Sequence, residues 1–153
     1  MPELLSREEV PVEVDFYGFA LQDFDDAQVP SLFPEGWEQG PYLTSLPGRL
    51  DFTSGGHTHT ATLVIEVWDT EPSAPSGNWE ESALGEITCT SGKLEARGVA
   101  GGPMPEPITL SESGAGIWKV RAVSSGREEV KTKAHHGVPE GVERYVLQFW
   151  PRS

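Results

Sequence analysis

Two histidines one residue apart, His57-Thr58-His59, are the sharpest chemical signal in the chain. Side chains i and i+2 of a strand share a face, so both imidazoles can meet one metal ion. Asp51 or the His135-His136 pair would complete the shell and leave a position open for water, the arrangement of a metal-dependent hydrolase. A plainer reading competes with it: Gly55-Gly56 precedes the pair, as at a polar hairpin tip, and no third ligand stands at a diagnostic spacing. A second constellation is built of oxygen alone. Asp23-Phe24-Asp25-Asp26 and Asp69-Thr70-Glu71 are acidic loops of the kind that hold calcium between them, although the EF-hand spacing is absent. That reading makes the chain a calcium-dependent binding module.

Nucleophilic chemistry has little to work with. There is no Gly-x-Ser-x-Gly, and the serines lie mostly in loops without an adjacent histidine. Cys89 falls inside an expected strand, where a free cysteine behaves as a small buried hydrophobe. No P-loop or dinucleotide fingerprint occurs. The expectation is a non-enzymatic protein without a cofactor.

Charge points instead to a partner. The 153 residues carry a formal charge of −13. From Met1 to Glu81, 16 acids face only Arg7 and Arg49, whereas from Ser82 to Ser153, 9 bases face 8 acids. Direct nucleic-acid binding needs clustered Lys and Arg and is disfavoured. An acidic surface attracts a basic protein, and long-range attraction speeds that encounter. The residues expected to meet such a partner are Asp23, Asp25, Asp26, Glu35, Glu38, Asp69 and Glu71, with Trp37 or Trp68 as apolar anchors.

The elements that position these residues read as strands. In Thr60–Asp69, Ala61, Leu63, Ile65 and Val67 share one parity, and the β-branched content suits a pleated surface. Val64 breaks the polarity of the second face, so that face is expected to be partly covered and the strand central. Further strands are expected over Val10–Leu21 (bulged at Gly18), Arg49–Thr53, Ala83–Thr90, Lys93–Val99, Ile108–Leu110, Ile117–Val123 and Arg144–Trp150. Gly and Pro punctuate them, Gln22–Gln39 reads as a long loop, and Ser124–Glu140 is polar and mixed in charge. Tyr17, Trp37, Trp68, Trp79 and Trp150 read as exposed aromatics; a loop or the other sheet most often covers a Trp on the polar parity of a strand, and the alternative is a partner-binding patch. The fold expected is all-β: a single-domain antiparallel β-sandwich of about eight strands over 1–153, with 1–9 a flexible N-terminus. MPELLSREEV has no apolar core of a signal peptide, no run is long enough to span a bilayer, and one cysteine suits a reducing compartment. A cytoplasmic protein away from membranes is expected, and its oligomeric state is left open.

Four stretches carry a likeness to a known family: Phe16-Tyr17-Gly18-Phe19, Gly48-Arg49-Leu50-Asp51-Phe52, Ala61–Asp69 and Gly116–Val123. From Val10 to Val123 their order resembles the competence protein J family, small inhibitors of the DNA-entry nuclease of bacterial competence. Longer Pro/Gly loops around Pro72–Asn78 and Gly98–Pro107 depart from the pattern, and Val142–Pro151 is not matched to it from the sequence. The resemblance implies a bacterial β-protein that inhibits or regulates a nuclease, in keeping with the charge argument. It supplies no binding residue to carry over.

Overall fold

The computed structural model describes residues 2–14, 18–23, 43–46, 49–54, 59–77, 79–89, 92–98, 102–103, 108–110, 116–133 and 140–151. Its strands are β1 (Leu4–Val14), β2 (Gly18–Asp23), β3 (Leu43–Leu46), β4 (Arg49–Thr53), β5 (His59–Trp68), β6 (Glu81–Cys89), β7 (Lys93–Gly98), β8 (Gly102–Pro103), β9 (Ile108–Thr109), β10 (Gly116–Ser125) and β11 (Glu140–Pro151), with one helix, α1 (Arg127–Lys133), before the last. Five strands form a sheet in the order β1-β5-β11-β10-β6. The other sheet runs β3-β4-β2-β7-β8, with β9 also pairing β7. The fold is all-β, and the two sheets share one core.

That core follows from parity. Ala61, Leu63, Ile65 and Val67 of β5 are all buried, as are Trp118, Val120 and Ala122 of β10 and Tyr145, Leu147 and Phe149 of β11. From the opposite sheet come Phe19, Leu21, Leu50, Phe52, Leu94 and Ala96. Phe19 and Phe52 stack at 4.9 Å, and Tyr145 meets Phe19 edge-on at 5.1 Å, so aromatic contacts tie the sheets together. Burying each large aliphatic chain contributes about 1.5–3 kcal/mol, which makes this layer the main source of stability.

Two sequence expectations are corrected and two gain detail. Val10–Leu21 is not one bulged strand: β1 ends at Val14 in one sheet and β2 starts at Gly18 in the other, and that crossing accounts for the parity change after Gly18. Leu4 to Glu9, within the N-terminus expected to be flexible, belong to β1 and pair with Trp68 to Val64, with a register shift between Leu4 and Ser6. The all-β sandwich of about eight strands stands, and the described residues add to it the division of the first strand, β3 and the very short β8. The sheet is also not wholly antiparallel. β11 runs parallel to β5, whereas every other pairing among the described residues is antiparallel. A parallel neighbour needs a long crossover, and here nearly all the chain between β5 and β11 supplies it.

β5 lies inside its sheet, between β1 and β11. Its second face is covered at Val64, which packs with Val123, Val146 and Trp79. Helix α1 was not legible in the polar Ser124–Glu140 run. Gly126 precedes it at φ 80, and the Glu80 carboxylate accepts the N–H groups of Gly126, Arg127 and Glu128. Those N–H groups have no partner within the helix, so a carboxylate at this end starts it.

Candidate functional site

Inside the molecule, Ser54, His59, Glu143 and Arg127 form a polar knot where β4, β5, β11 and α1 converge. The Ser54 hydroxyl donates to Glu143 Oε1 at 2.6 Å, and Ser54 Oγ lies 2.7 Å from His59 Nε2. Because the only hydroxyl hydrogen goes to the carboxylate, the imidazole must donate through Nε2–H. Arg127 Nη1 lies 3.6 Å from Glu143 Oε2 and donates to the Thr53 carbonyl at 3.0 Å. Burial pushes the His59 pKa below its ordinary 6.5, with the nearby Glu143 charge pulling the other way.

Serine beside histidine beside carboxylate invites comparison with a hydrolase triad, and the geometry fails it. In a triad the acid holds Nδ1 and leaves the serine proton for Nε2. Here Glu143 stands on the Nε2 side and already takes the serine proton, and Ser54 is 3% exposed. The knot is a cross-tie between sheets. Sequence reasoning missed it although the signal was present. His59 continues the parity of Ala61 and Leu63, Glu143 that of Tyr145 and Leu147, and Ser54 that of Leu50 and Phe52. Each lies on an inward face extended by two residues.

The outer face of the five-stranded sheet carries the accessible chemistry. Register places Arg7, Glu66, Gln148, Arg121 and Leu84 in one row across its five strands. Arg7 Nε lies 3.7 Å from Glu66 Oε2, and Gln148 Nε2 donates to Glu66 Oε1 at 3.3 Å. Arg121 donates to Gln148 Oε1 at 3.0 Å and to Glu71 Oε2 at 3.3 Å, with its guanidinium 5.4 Å from the Trp150 ring centre. The segment from Asp69 to Glu80 crosses this face. Arg121 holds its Pro72 carbonyl at 2.8 Å, Gln148 its Ser73 carbonyl at 3.1 Å, and Glu80 N–H donates to the Ser124 carbonyl. Beyond the crossing segment, two grooves flank Leu84. One, of about 720 Å³, is lined by Trp79, Glu80, Glu81 and Ala83, and the other, of about 420 Å³, by Glu71, Glu86, Lys119 and Trp150.

Among the described residues expected to meet a partner, Glu71 alone belongs to this grooved region, where its side chain is 64% exposed. Asp69 is occupied by its own chain. It accepts the Glu3 N–H at 2.6 Å, and that hydrogen bond holds its carboxyl below the usual 3.8. Trp68 is half-buried and donates to Glu66 Oε1 at 3.0 Å. Asp23 is an interior group. β2 runs through it with all six residues buried, and its carboxylate lies 3.6 Å from Cys89 Sγ. Asp25, Asp26, Glu35, Trp37 and Glu38 lie outside the described residues, as do Tyr17, His57, His135 and His136. The hairpin-tip reading of His59 is corrected, since it is 2% exposed and engaged with Ser54. Asp51 does not join it, because it pairs with buried Arg49 at 2.9 Å while burial pushes its pKa above 3.8. Buried Asp23 likewise gives calcium no accessible oxygen. Among the described residues no three His, Cys, Asp or Glu side chains are grouped to hold a metal ion, and no helix is long and apolar enough to cross a membrane. Trp150 is buried and Trp79 half-buried, with Trp79 Nε1–H donating to the Pro75 carbonyl at 3.0 Å.

No family model and no curated relative matches the sequence. Solved structures do match its fold. A protein described as "Crocagin biosynthetic gene J" is 15% identical, with a TM-score of 0.59 over 100% of this chain and 99% of that one. ComJ from Bacillus subtilis, an inhibitor of the DNA degrading activity of NucA, is 11% identical, with a TM-score of 0.65 over 99% of both chains. The resemblance drawn from strand order is therefore shown at the level of fold: this chain has the fold of ComJ from end to end.

Proposed function

We propose that this chain is a non-enzymatic binding protein for a partner with a basic surface, and that its specific action is to inhibit or regulate a nuclease. The observation that carries the reading is a fold shared along its full length with an inhibitor of a DNA-degrading activity. The charge of −13 supports it, since a nuclease built to hold phosphates presents cations that carboxylates can occupy. A pre-formed strand framework supports it as well, because little ordering entropy is lost on binding. The single, buried Cys89 suits the reducing cytoplasm of a bacterium.

The test is capture from a native lysate with the intact protein as bait, at low and at high salt. A basic protein retained only at low salt, whose cleavage of DNA falls when excess bait is added, is the expected result. Retention of no basic protein, or a captured nuclease that keeps full activity, removes the reading.

A further inference from the structure

We infer that the open half of β6 is a strand-addition site that takes an extended, basic segment of the partner, centred on Leu84. This rests on the partner-binding reading above and assigns it a place and a mode.

Among the described residues β6 ends its sheet, with β10 as its only paired neighbour. It divides into two unlike halves. Ile87 and Cys89 are buried in the core, whereas Glu81, Ser82 and Leu84 are exposed and Ala83 and Gly85 half-exposed. A terminal strand offers a row of backbone N–H and C=O groups to another chain, and natural proteins usually blunt such an edge with proline, lysine or a bulge. The open half has none of these, and the charge it does carry, on Glu81, repels another acidic edge but not a cationic strand. Its nine-residue strand has no proline or lysine and stays in unbroken register against β10 from Cys89 to Glu81.

Leu84 makes the edge more than a bare template. It is 71% exposed, the most exposed of the large apolar side chains among the described residues, and a groove opens on either side of it. Alternate side chains of an added strand would fall toward these grooves while the backbone pairs with β6. Charge selects the occupant. Four carboxylates, Glu71, Glu80, Glu81 and Glu86, line the grooves against two cations, Lys119 and Arg121; Arg121 is engaged by Glu71, Gln148, the Pro72 carbonyl and the Trp150 ring, and Glu80 by the start of α1, so the balance left at the edge is acidic. A second copy of this chain would bring another −13 charge to the same edge, so a cationic segment is favoured over self-pairing.

The probe is a synthetic ten-residue peptide alternating lysine and valine, titrated into the intact protein with β6 amide exchange followed by NMR. Binding that slows exchange of amides between Glu81 and Gly85 is expected. The same peptide N-methylated at alternate residues keeps its charge and should lose at least about tenfold in affinity. Leu84→Glu adds a negative charge, yet should also weaken binding by about tenfold or more, because the apolar contact is lost. No binding, equal binding of the N-methylated peptide, protection confined to other strands, or β6 protection produced by self-association without peptide each overturns the assignment. The lysate experiment separates the two ideas. If the parent captures and inhibits a basic nuclease and Leu84→Glu does so equally well, strand addition falls and the binding function stands.

Discussion

Glu143→Gln tests whether the interior knot ties the sheets together by charge. Glu143 is fully buried, takes the Ser54 hydroxyl at 2.6 Å and lies 3.6 Å from Arg127 Nη1. Glutamine matches its shape and keeps one acceptor oxygen. Its amide NH2 must then face either the Arg127 guanidinium or the donors of Ser54 and His59. A short hydrogen bond to a charged acceptor contributes about 1.5–3 kcal/mol, and the longer, partly exposed contact to Arg127 adds about 0–1 kcal/mol. The variant should therefore lose about 2–4 kcal/mol, which for a chain of this size lowers Tm by about 4–15 °C. Urea unfolding at pH 7.5 and calorimetry read both numbers, with exposed Glu81→Gln as a control expected within about 0.5 kcal/mol of the parent. Pairing Glu143→Gln with Ser54→Ala should show a coupling of about 1 kcal/mol or more. A Glu143→Gln protein as stable as the control, or strictly additive losses in the double variant, would refute the knot as a stabilising unit.

Three further outcomes follow from named contacts. Gly126→Ala should destabilise by about 1–3 kcal/mol in thermal unfolding, since φ is 80 and the new Cβ would overlap the Val142 carbonyl. Leu63→Ala, at a fully buried position, should cost about 2–5 kcal/mol and shift the urea midpoint without changing its slope. Because the folded His59 pKa lies below 6.5, the unfolded chain takes up the proton first, so stability is lost as pH falls below 6.5 toward the folded value; His59→Gln should lose less between pH 7.5 and 5.5 than the parent in paired urea titrations.

The strands were legible because burial imposes a period of two wherever one face meets the core. The parity of β5, β10 and β11 named their inward residues from sequence alone, and Val64 named the covered outer face. Polar residues on those same faces were not legible as interior. His59 and Glu143 look like surface groups, and their burial is made tolerable by partners from distant parts of the chain, Ser54 for both and Arg127 for Glu143. Sheet membership was hidden too. Nothing between Val14 and Gly18 states that the chain changes sheets, and nothing in β11 states that its neighbour is the parallel β5. These are long-range choices, and local pattern does not contain them. The candidate binding edge was hidden for the same reason. Leu84 sits on the parity of Glu86 and reads as one exposed residue until the sheet order places it at a border.

The uneven charge along the sequence also changes meaning on folding. Met1 to Glu81 holds most of the acids and the rest of the chain most of the bases, which suggests a molecule with one negative half. The topology interleaves them instead. β11 and β10 come from the basic portion and lie between β5 and β6, so Glu71 meets Arg121 at 3.3 Å, Glu9 meets Arg144 at 3.6 Å, and Glu80 anchors the start of α1. Exposed pairs of this kind contribute little stability. Their effect is on the field, since an acid already facing a guanidinium offers less to a partner than one facing water. Total charge therefore draws a cation toward the molecule without saying where it lands. For the proposed edge the carboxylates that matter are those lining a groove beside Leu84, the exposed Glu81 and the half-exposed Glu86, the latter opposite Lys119 in the register.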